Sequence, residues 1–153
     1  MRSPVFRRKQ HGAVAIEFAV LFSVFFAVLY AIIAYSMPLL LMLTFRQVAA
    51  DAARATIAVD PAAGNYEINL ENRVNTIIDE SWISNTGWYT NCPSESGTGY
   101  SHLAANGRTL TVCIRYKNDN YNNDPIVPVL HLPGIGQIPR LPELIEGTST
   151  IRL

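Results

Sequence analysis

The sequence predicts an α+β fold in which a long N-terminal transmembrane helix continues into a small exported domain with a second helix and a small antiparallel sheet. Three patterns predict this fold. Residues 18–45 contain no charged side chain and are almost all apolar. Residues 66–82 repeat apolar side chains at helical spacing, and residues 109–117 alternate apolar with polar side chains as a half-buried strand does.

The predicted parts follow one another along the chain. We expect a basic leader over residues 1–12, followed by the long helix and its extension beyond the membrane over residues 13–59. Residues 60–153 are expected to form the exported domain. With 153 residues, the chain has room for one domain in addition to the anchor.

The apolar run is long enough to cross a membrane. Its 28 residues extend about 42 Å as a helix, more than the roughly 30 Å of a hydrocarbon core. The run exceeds the roughly 7–15 apolar residues of a secretory signal, and no cleavage site of small residues follows it closely. We therefore expect a single-pass signal anchor in contact with membrane lipid.

The distribution of charge predicts the orientation of this anchor. The leader, residues 1–12, carries four basic residues and no acidic residue, whereas acidic residues outnumber basic ones by 11 to 8 from Arg46 onward. Because positive charge beside a membrane helix favours the cytoplasmic side, we expect a cytoplasmic N-terminus and an exported C-terminal half. A mildly acidic exported half gives no reason to expect nucleic-acid binding.

The helix is expected to continue past the membrane and to end at Asp60 and Pro61. Pro38 lies inside it and is expected to kink or locally unwind it. An apolar stripe follows the span and has two interpretations: it packs on the exported domain, or it forms a seam with neighbouring subunits that small alanines allow. The stripe consists of Phe45, Val48, Ala52, Ala55 and Val59.

The exported half is expected to contain little regular structure besides the second helix and two strands. Residues 84–108 indicate a long loop with short extended pieces. Residues 126–142 contain too many prolines for a central strand or a regular helix. This segment could cover the core, lie on the membrane surface or contact a partner. Residues 145–153 indicate a strand that pairs with the strand at 109–117.

Cys92 and Cys113 both lie in the exported half, so an oxidising compartment favours a disulfide between them. Closing a loop of this size stabilises a fold by about 3 kcal/mol in the chain-entropy model. Neither cysteine belongs to a C-x-x-C motif, which argues against redox catalysis.

The sequence offers no catalytic residues, and we expect no enzymatic activity, cofactor or metal. No G-x-S-x-G nucleophile motif occurs, although His102 and Glu95 lie in a serine-rich loop. Asp119 and Asp124 lack the spacing of an EF-hand calcium loop. An anchored envelope enzyme remains an alternative class that a structural constellation of such groups would support.

The start of the apolar run resembles the processing site of type IV pilin-like precursors. Such precursors have a basic leader, a glycine, a glutamate at the fifth mature position and an aromatic residue at the sixth. The matching residues here are Arg7, Arg8, Lys9, Gly12, Ala13, Glu17 and Phe18. Together with the second helix, the strand at 109–117, the proline-rich segment and the terminal strand, nearly the whole chain, apart from the loop at 84–108, resembles the TadE-like minor pilins of tight-adherence (type IVb, Flp-type) pilus systems.

This resemblance implies a function and a set of partners. A prepilin peptidase of the bacterial inner membrane would cut after Gly12, and Glu17 would meet the N-terminal amine of a neighbouring subunit. The partners would be other minor pilins, major pilin subunits and an inner-membrane assembly platform with a separate ATPase. A secretion pseudopilin, or an anchored envelope scaffold that never enters a pilus, is the alternative.

Overall fold

The computed structural model describes residues 11–93, 99–132 and 136–153. The described part of the chain begins with one long α-helix, α1 (His11–Ala55), and a short 3-10 turn (Thr56–Ala58) extends it. Its 45 residues correspond to about 68 Å of helix. The helix stays α-helical through Pro38, so local unwinding is not observed there, and the predicted kink stays a prediction.

The second helix, α2 (Tyr66–Glu80), begins after Asn65, whose φ of 62° places it in the left-handed region. Its apolar side chains Leu70, Val74 and Ile78 are buried, as the helical spacing predicts. A 3-10 turn (Trp82–Asn85) follows and buries Ile83. The helix therefore ends two residues before the predicted boundary.

In the part of the chain that the structure describes, six short strands form two antiparallel sheets, of four and two strands. They are β1 (Tyr89–Asn91), β2 (Ser101–Leu103), β3 (Thr109–Tyr116), β4 (Leu130–Leu132), β5 (Gly136–Ile138) and β6 (Glu146–Arg152). In the larger sheet β6 pairs with β3 from Arg115 to Thr109, which confirms the predicted pairing of the terminal strand. The two short strands β1 and β2 pair with opposite ends of β3 and therefore share its other edge.

The core lies between the C-terminal half of α1, helix α2 and one face of β3. That face carries Leu110, Val112, Ile114 and Tyr116, all at most 2% exposed, because residues two apart in a strand point to the same side. Tyr121, from the turn after β3, is fully buried beside Tyr116. The predicted α+β fold is confirmed.

Most of the apolar stripe on α1 packs on the C-terminal domain of its own chain. Phe45 and Ala52 are fully buried, and Val48 is 8% exposed. Strand β6 approaches this part of the helix so closely that a Cβ on Gly147 would lie 2.3 Å from the Phe45 carbonyl carbon and the Arg46 backbone nitrogen. Phe45, Val48 and Ala52 are therefore taken up by contacts within the chain, whereas Ala55 and Val59 are only partly buried, and a seam with neighbouring subunits stays a prediction.

The proline-rich segment folds back onto the middle of α1. Its two strands, β4 and β5, form a separate antiparallel ladder, in which Leu130 lies opposite Ile138 and Leu132 lies opposite Gly136. The Tyr30 hydroxyl of α1 donates a hydrogen bond to the Pro128 carbonyl. We call residues 126–132 and 136–142 the proline-rich arm.

Candidate functional site: the N-terminal segment and its anchor helix

The residues of the predicted processing site occupy the first two turns of α1. Gly12, Ala13, Glu17 and Phe18 are all exposed. Because Ala13 and Glu17 are four residues apart in a helix, they lie one turn apart on the same face. The fold thus leaves the bond after Gly12 accessible and places the carboxylate of Glu17 one turn beyond it.

No basic group pairs with Glu17 within the part of the chain that the structure describes. The leader residues Arg7, Arg8 and Lys9 lie outside the described residues. The structure therefore places Gly12, Ala13, Glu17 and Phe18 on neighbouring turns of one helix, and none of the described basic groups pairs with Glu17.

Aromatic side chains line the helix beyond this segment. Phe18, Phe22 and Phe26 lie on successive turns, with ring centroids 5.8 Å and 4.5 Å apart. The hydroxyl of Ser23 donates to the Ala19 carbonyl at 2.8 Å, which satisfies the one polar side chain in this stretch. Such a surface suits lipid, because its polar groups are bonded within the helix.

The helix has the length and composition of a membrane anchor. Among the described residues, Gly12–Ala58 is the helix long and apolar enough to cross a membrane, and none of its most apolar window is buried inside the protein. Phe18 is 66% exposed and Phe25 is 60% exposed. The central helix of a soluble protein would instead be covered on most sides.

Beyond Tyr30, α1 has two different faces. One face is buried by the C-terminal domain and the arm: Ala34 is fully buried and Leu41 is 2% exposed. The opposite face remains apolar and uncovered by this chain. Its exposed side chains are Ile32, Ile33, Leu39, Leu40 and Leu43.

The predicted disulfide is confirmed. Cys92 follows β1 and bonds to Cys113 of β3, with Cα atoms 5.7 Å apart. The bond thereby ties the end of a three-residue strand to the central strand of the sheet. Glu146 lies near both sulfur atoms, but sulfurs that are bonded to each other offer no thiolate to a metal.

The aspartates considered for calcium binding pair with cations instead. Asp119 pairs with Arg115, and Asp124 lies 2.7 Å from the Lys117 ammonium group. The bond to Lys117 lowers the pKa of Asp124 below its ordinary value. Both pairs lie at the end of β3 and fasten the turn that follows it.

Of the two side chains considered for an anchored enzyme, the structure describes His102 and not Glu95. His102 lies on β2 opposite Thr111, and Glu95 lies outside the described residues. The absence of enzymatic activity stays a prediction.

Sequence reasoning missed the two tyrosines that hold the proline-rich arm. Tyr30 donates to the Pro128 carbonyl, and the Tyr35 hydroxyl accepts a hydrogen bond from the Arg140 backbone nitrogen at 3.2 Å. The sequence did carry a signal, because each of these tyrosines places a polar hydroxyl group inside an otherwise apolar run. Tyrosine is enriched where a membrane helix leaves the hydrocarbon.

The fold and this site define a protein with one N-terminal helical anchor and a small disulfide-bonded α+β domain. Residues 12–54 match the model of the family described as TadE-like protein, and over these residues the match agrees with the resemblance predicted from the sequence. The matched region begins at Gly12 and ends within α1, so it covers the anchor and not the domain. No curated protein and no solved structure matches the chain.

Proposed function

We propose that the protein is a minor pilin-like subunit that takes part in assembling a tight-adherence type IVb pilus. The observation that carries this proposal is the match of α1 to the TadE-like family over residues 12–54. The matched helix also has the surface that such a role requires, since it is apolar and uncovered along its N-terminal part.

The uncovered face of α1 beyond Tyr30 supports packing against other subunits. Ile32, Leu39 and Leu43 are between 53% and 65% exposed on a helix whose opposite side is buried. A row of large apolar side chains is stable when another helix covers it. We assign this face, rather than the stripe at Phe45, to contacts with other minor pilins and major pilin subunits.

The proposal assigns a sequence of events to the N-terminal segment. A prepilin peptidase in the bacterial inner membrane cleaves after Gly12 and releases the amine of Ala13. Glu17 then pairs with the corresponding amine of a neighbouring subunit, because a carboxylate in an apolar environment is tolerated when a cation shares its desolvation. The sequence carries no GxxxxGK[ST] loop, so a separate ATPase on the assembly platform supplies the energy.

Cleavage after Gly12 is tested by mass spectrometry of the N-terminus. We expect the mature protein to start at Ala13, and we expect Gly12→Val to leave the precursor uncut because a branched side chain then occupies the cleaved position. Gly64→Val is the matched control, since it changes a glycine far from the segment. A wild-type chain that keeps Met1 in cells with an active peptidase would falsify the processing step.

The same experiment separates this proposal from a plain envelope anchor, which would keep its leader. Crosslinking from the uncovered face of α1 then separates a pilus subunit from a secretion pseudopilin. A photocrosslinker at Leu40 captures pilin subunits in the first case and components of a secretion system in the second.

A further inference from the structure

We propose that the proline-rich arm lies in the outer interface of the membrane that α1 crosses, with the edge of the hydrocarbon near Tyr30. This inference rests on the anchor role of α1 and is independent of whether the protein enters a pilus. It assigns a lipid-binding role to a segment for which the sequence left three roles open.

The arm docks on α1 inside the apolar run rather than beyond it. Tyr30 and Tyr35 hold the arm through hydrogen bonds to Pro128 and Arg140. A groove of about 350 Å³ opens between helix and arm, and apolar side chains line it almost completely. Its lining consists of Phe26, Ala27, Tyr30, Ala31, Leu130 and Ile138.

The composition of the arm fits lipid. Residues 126–139 contain no Asp, Glu, Lys or Arg. Leu130, which lines the groove, stays 42% exposed. The groove continues the lipid-facing surface of α1, because Phe26 and Ala27 belong to both. The one charged residue of the arm, Arg140, follows this stretch and does not line the groove. An acyl chain of a bilayer lipid can therefore extend along the helix into the groove past uncharged side chains.

The open edges of the arm place it at the interface and not deeper. A two-stranded ladder leaves backbone N–H and C=O groups without partners along its outer edges, and such groups are not tolerated in lipid hydrocarbon. The hydrocarbon therefore ends where the arm begins. The helix from His11 to Tyr30 measures about 29 Å, which matches the roughly 30 Å of a hydrocarbon core.

This placement moves the span toward the N-terminus of the apolar run. Glu17 lies 13 residues before Tyr30. It is therefore about 20 Å from the outer edge of the hydrocarbon and lies inside the bilayer. Leu43 lies 13 residues after Tyr30 and is about 20 Å outside. The uncovered face of α1 beyond the arm is then outside the bilayer.

Added cysteines test the placement in the full-length protein. The two native cysteines are bonded to each other, so a third cysteine is labelled selectively with an environment-sensitive fluorophore. The labelled chain is reconstituted in vesicles that contain lipids with spin labels at shallow or deep acyl positions, and iodide serves as the aqueous quencher. Four exposed apolar side chains are replaced: Phe25, Leu130, Leu43 and Ile68.

We expect deep lipid quenching at Phe25→Cys and shallow lipid quenching at Leu130→Cys. At Leu130→Cys, the shallow quencher is expected to exceed iodide at least twofold in efficiency. Leu43→Cys and Ile68→Cys are expected to respond mainly to iodide. If the Leu130 variant does not fold, His131→Cys, at the neighbouring exposed position of β4, replaces it.

Each other result overturns the placement. Iodide quenching at Leu130 equal to that at Ile68, with Phe25 still in lipid, would show an arm in water and refute the arm proposal alone. An arm label shielded from both iodide and lipid would indicate a protein partner instead. Deep lipid quenching at Leu43 would place the bilayer over the C-terminal end of the run. Loss of lipid quenching at Phe25 would remove the anchor, and the proposed function with it.

Discussion

Gly147 decides how closely β6 approaches α1. Its Cα faces the backbone of Phe45 and Arg46, where an added Cβ would meet main-chain atoms at 2.3 Å. Main-chain atoms of a helix cannot rotate away as the end of a flexible side chain can. The strand and the helix therefore pack at this distance because position 147 has no side chain.

Gly147→Ala is expected to lower the free energy of unfolding by about 1–3 kcal/mol, the usual effect of overpacking. Thermal unfolding of the full chain in detergent, followed by near-UV circular dichroism, measures the change. Gly64→Ala is the matched control, because a Cβ there meets no atom within 4 Å. Equal melting temperatures for the two variants would contradict the close contact.

Tyr116 couples stability to alkaline pH. Burial, the Asp124 carboxylate and Tyr121 together raise the pKa of Tyr116 from 10.0 to about 12. The unfolded chain releases this proton near pH 10, so the contribution to stability is complete below that pH. It is lost as pH rises from about 10 to about 12.

Tyr116→Phe is therefore expected to show a shallower loss of stability between pH 10 and 12 than the wild type. At neutral pH it is less stable by about 1 kcal/mol, because it lacks the hydrogen bond from its hydroxyl to the Asp124 carbonyl. Melting temperatures measured across this pH range test both effects. Tyr66→Phe, at a half-exposed position on α2, is the control, and a Tyr116→Phe profile parallel to the wild type would refute the coupling.

At the scale of elements, the regular patterns were readable from the sequence. The alternation along β3 predicted its four buried side chains, and the spacing in α2 predicted the burial of Leu70, Val74 and Ile78. These predictions succeeded because each depends on a local period and on one buried face. The spacing of Gly12, Glu17 and Phe18 indicated a pilin-like protein, and the family match falls on the helix that carries these residues, whereas the sequence analysis drew the TadE-like resemblance from the C-terminal part.

The other elements depend on contacts that no local pattern reveals. Strands β1 and β2 have three residues each and exist because β3 offers them an edge. Tyr121 lies among asparagines and aspartates, yet it is buried by Tyr116, five residues earlier on β3. The arm joins residues 98 positions apart, Tyr30 and Pro128. The covering of the stripe at Phe45 likewise depended on where the domain folds back.

The disulfide makes a prediction at the same scale. Replacing both cysteines in a Cys92→Ser/Cys113→Ser variant is expected to lower the free energy of unfolding by up to about 3 kcal/mol, since the bond closes a loop in the unfolded chain. The two cysteines are 21 residues apart in the sequence. Because Cys92 directly follows the short strand β1, we expect β1 to lose its protection from hydrogen exchange first. Urea unfolding of the full chain in detergent, together with hydrogen exchange, measures both effects. Two reactive thiols in the denatured, non-reduced wild type would refute the bond.

At the scale of the whole molecule, α1 divides into functional zones. Its N-terminal part is uncovered on every side, its middle carries the arm, and its C-terminal part belongs to the core. One continuous helix therefore links the segment around Gly12 to the C-terminal domain. A change at Glu17 leaves the domain intact, because its contacts begin more than ten residues further along the helix.

Glu17 is expected to serve assembly rather than cleavage. In pilin-like systems the peptidase reads mainly the glycine and the basic leader, so Glu17→Ala should still start at Ala13, although the cut is expected to be slower. Membrane insertion should improve, because about 2.5–3.5 kcal/mol of unfavourable transfer is removed. Crosslinking to pilin subunits and surface pili should be lost, because the amine of a neighbouring Ala13 then lacks its counter-charge. Glu67→Ala, which removes an exposed acid of α2, is the control and should retain pili. A processed Glu17→Ala chain that still supports full pilus formation and unchanged crosslinking would leave Glu17 without this role.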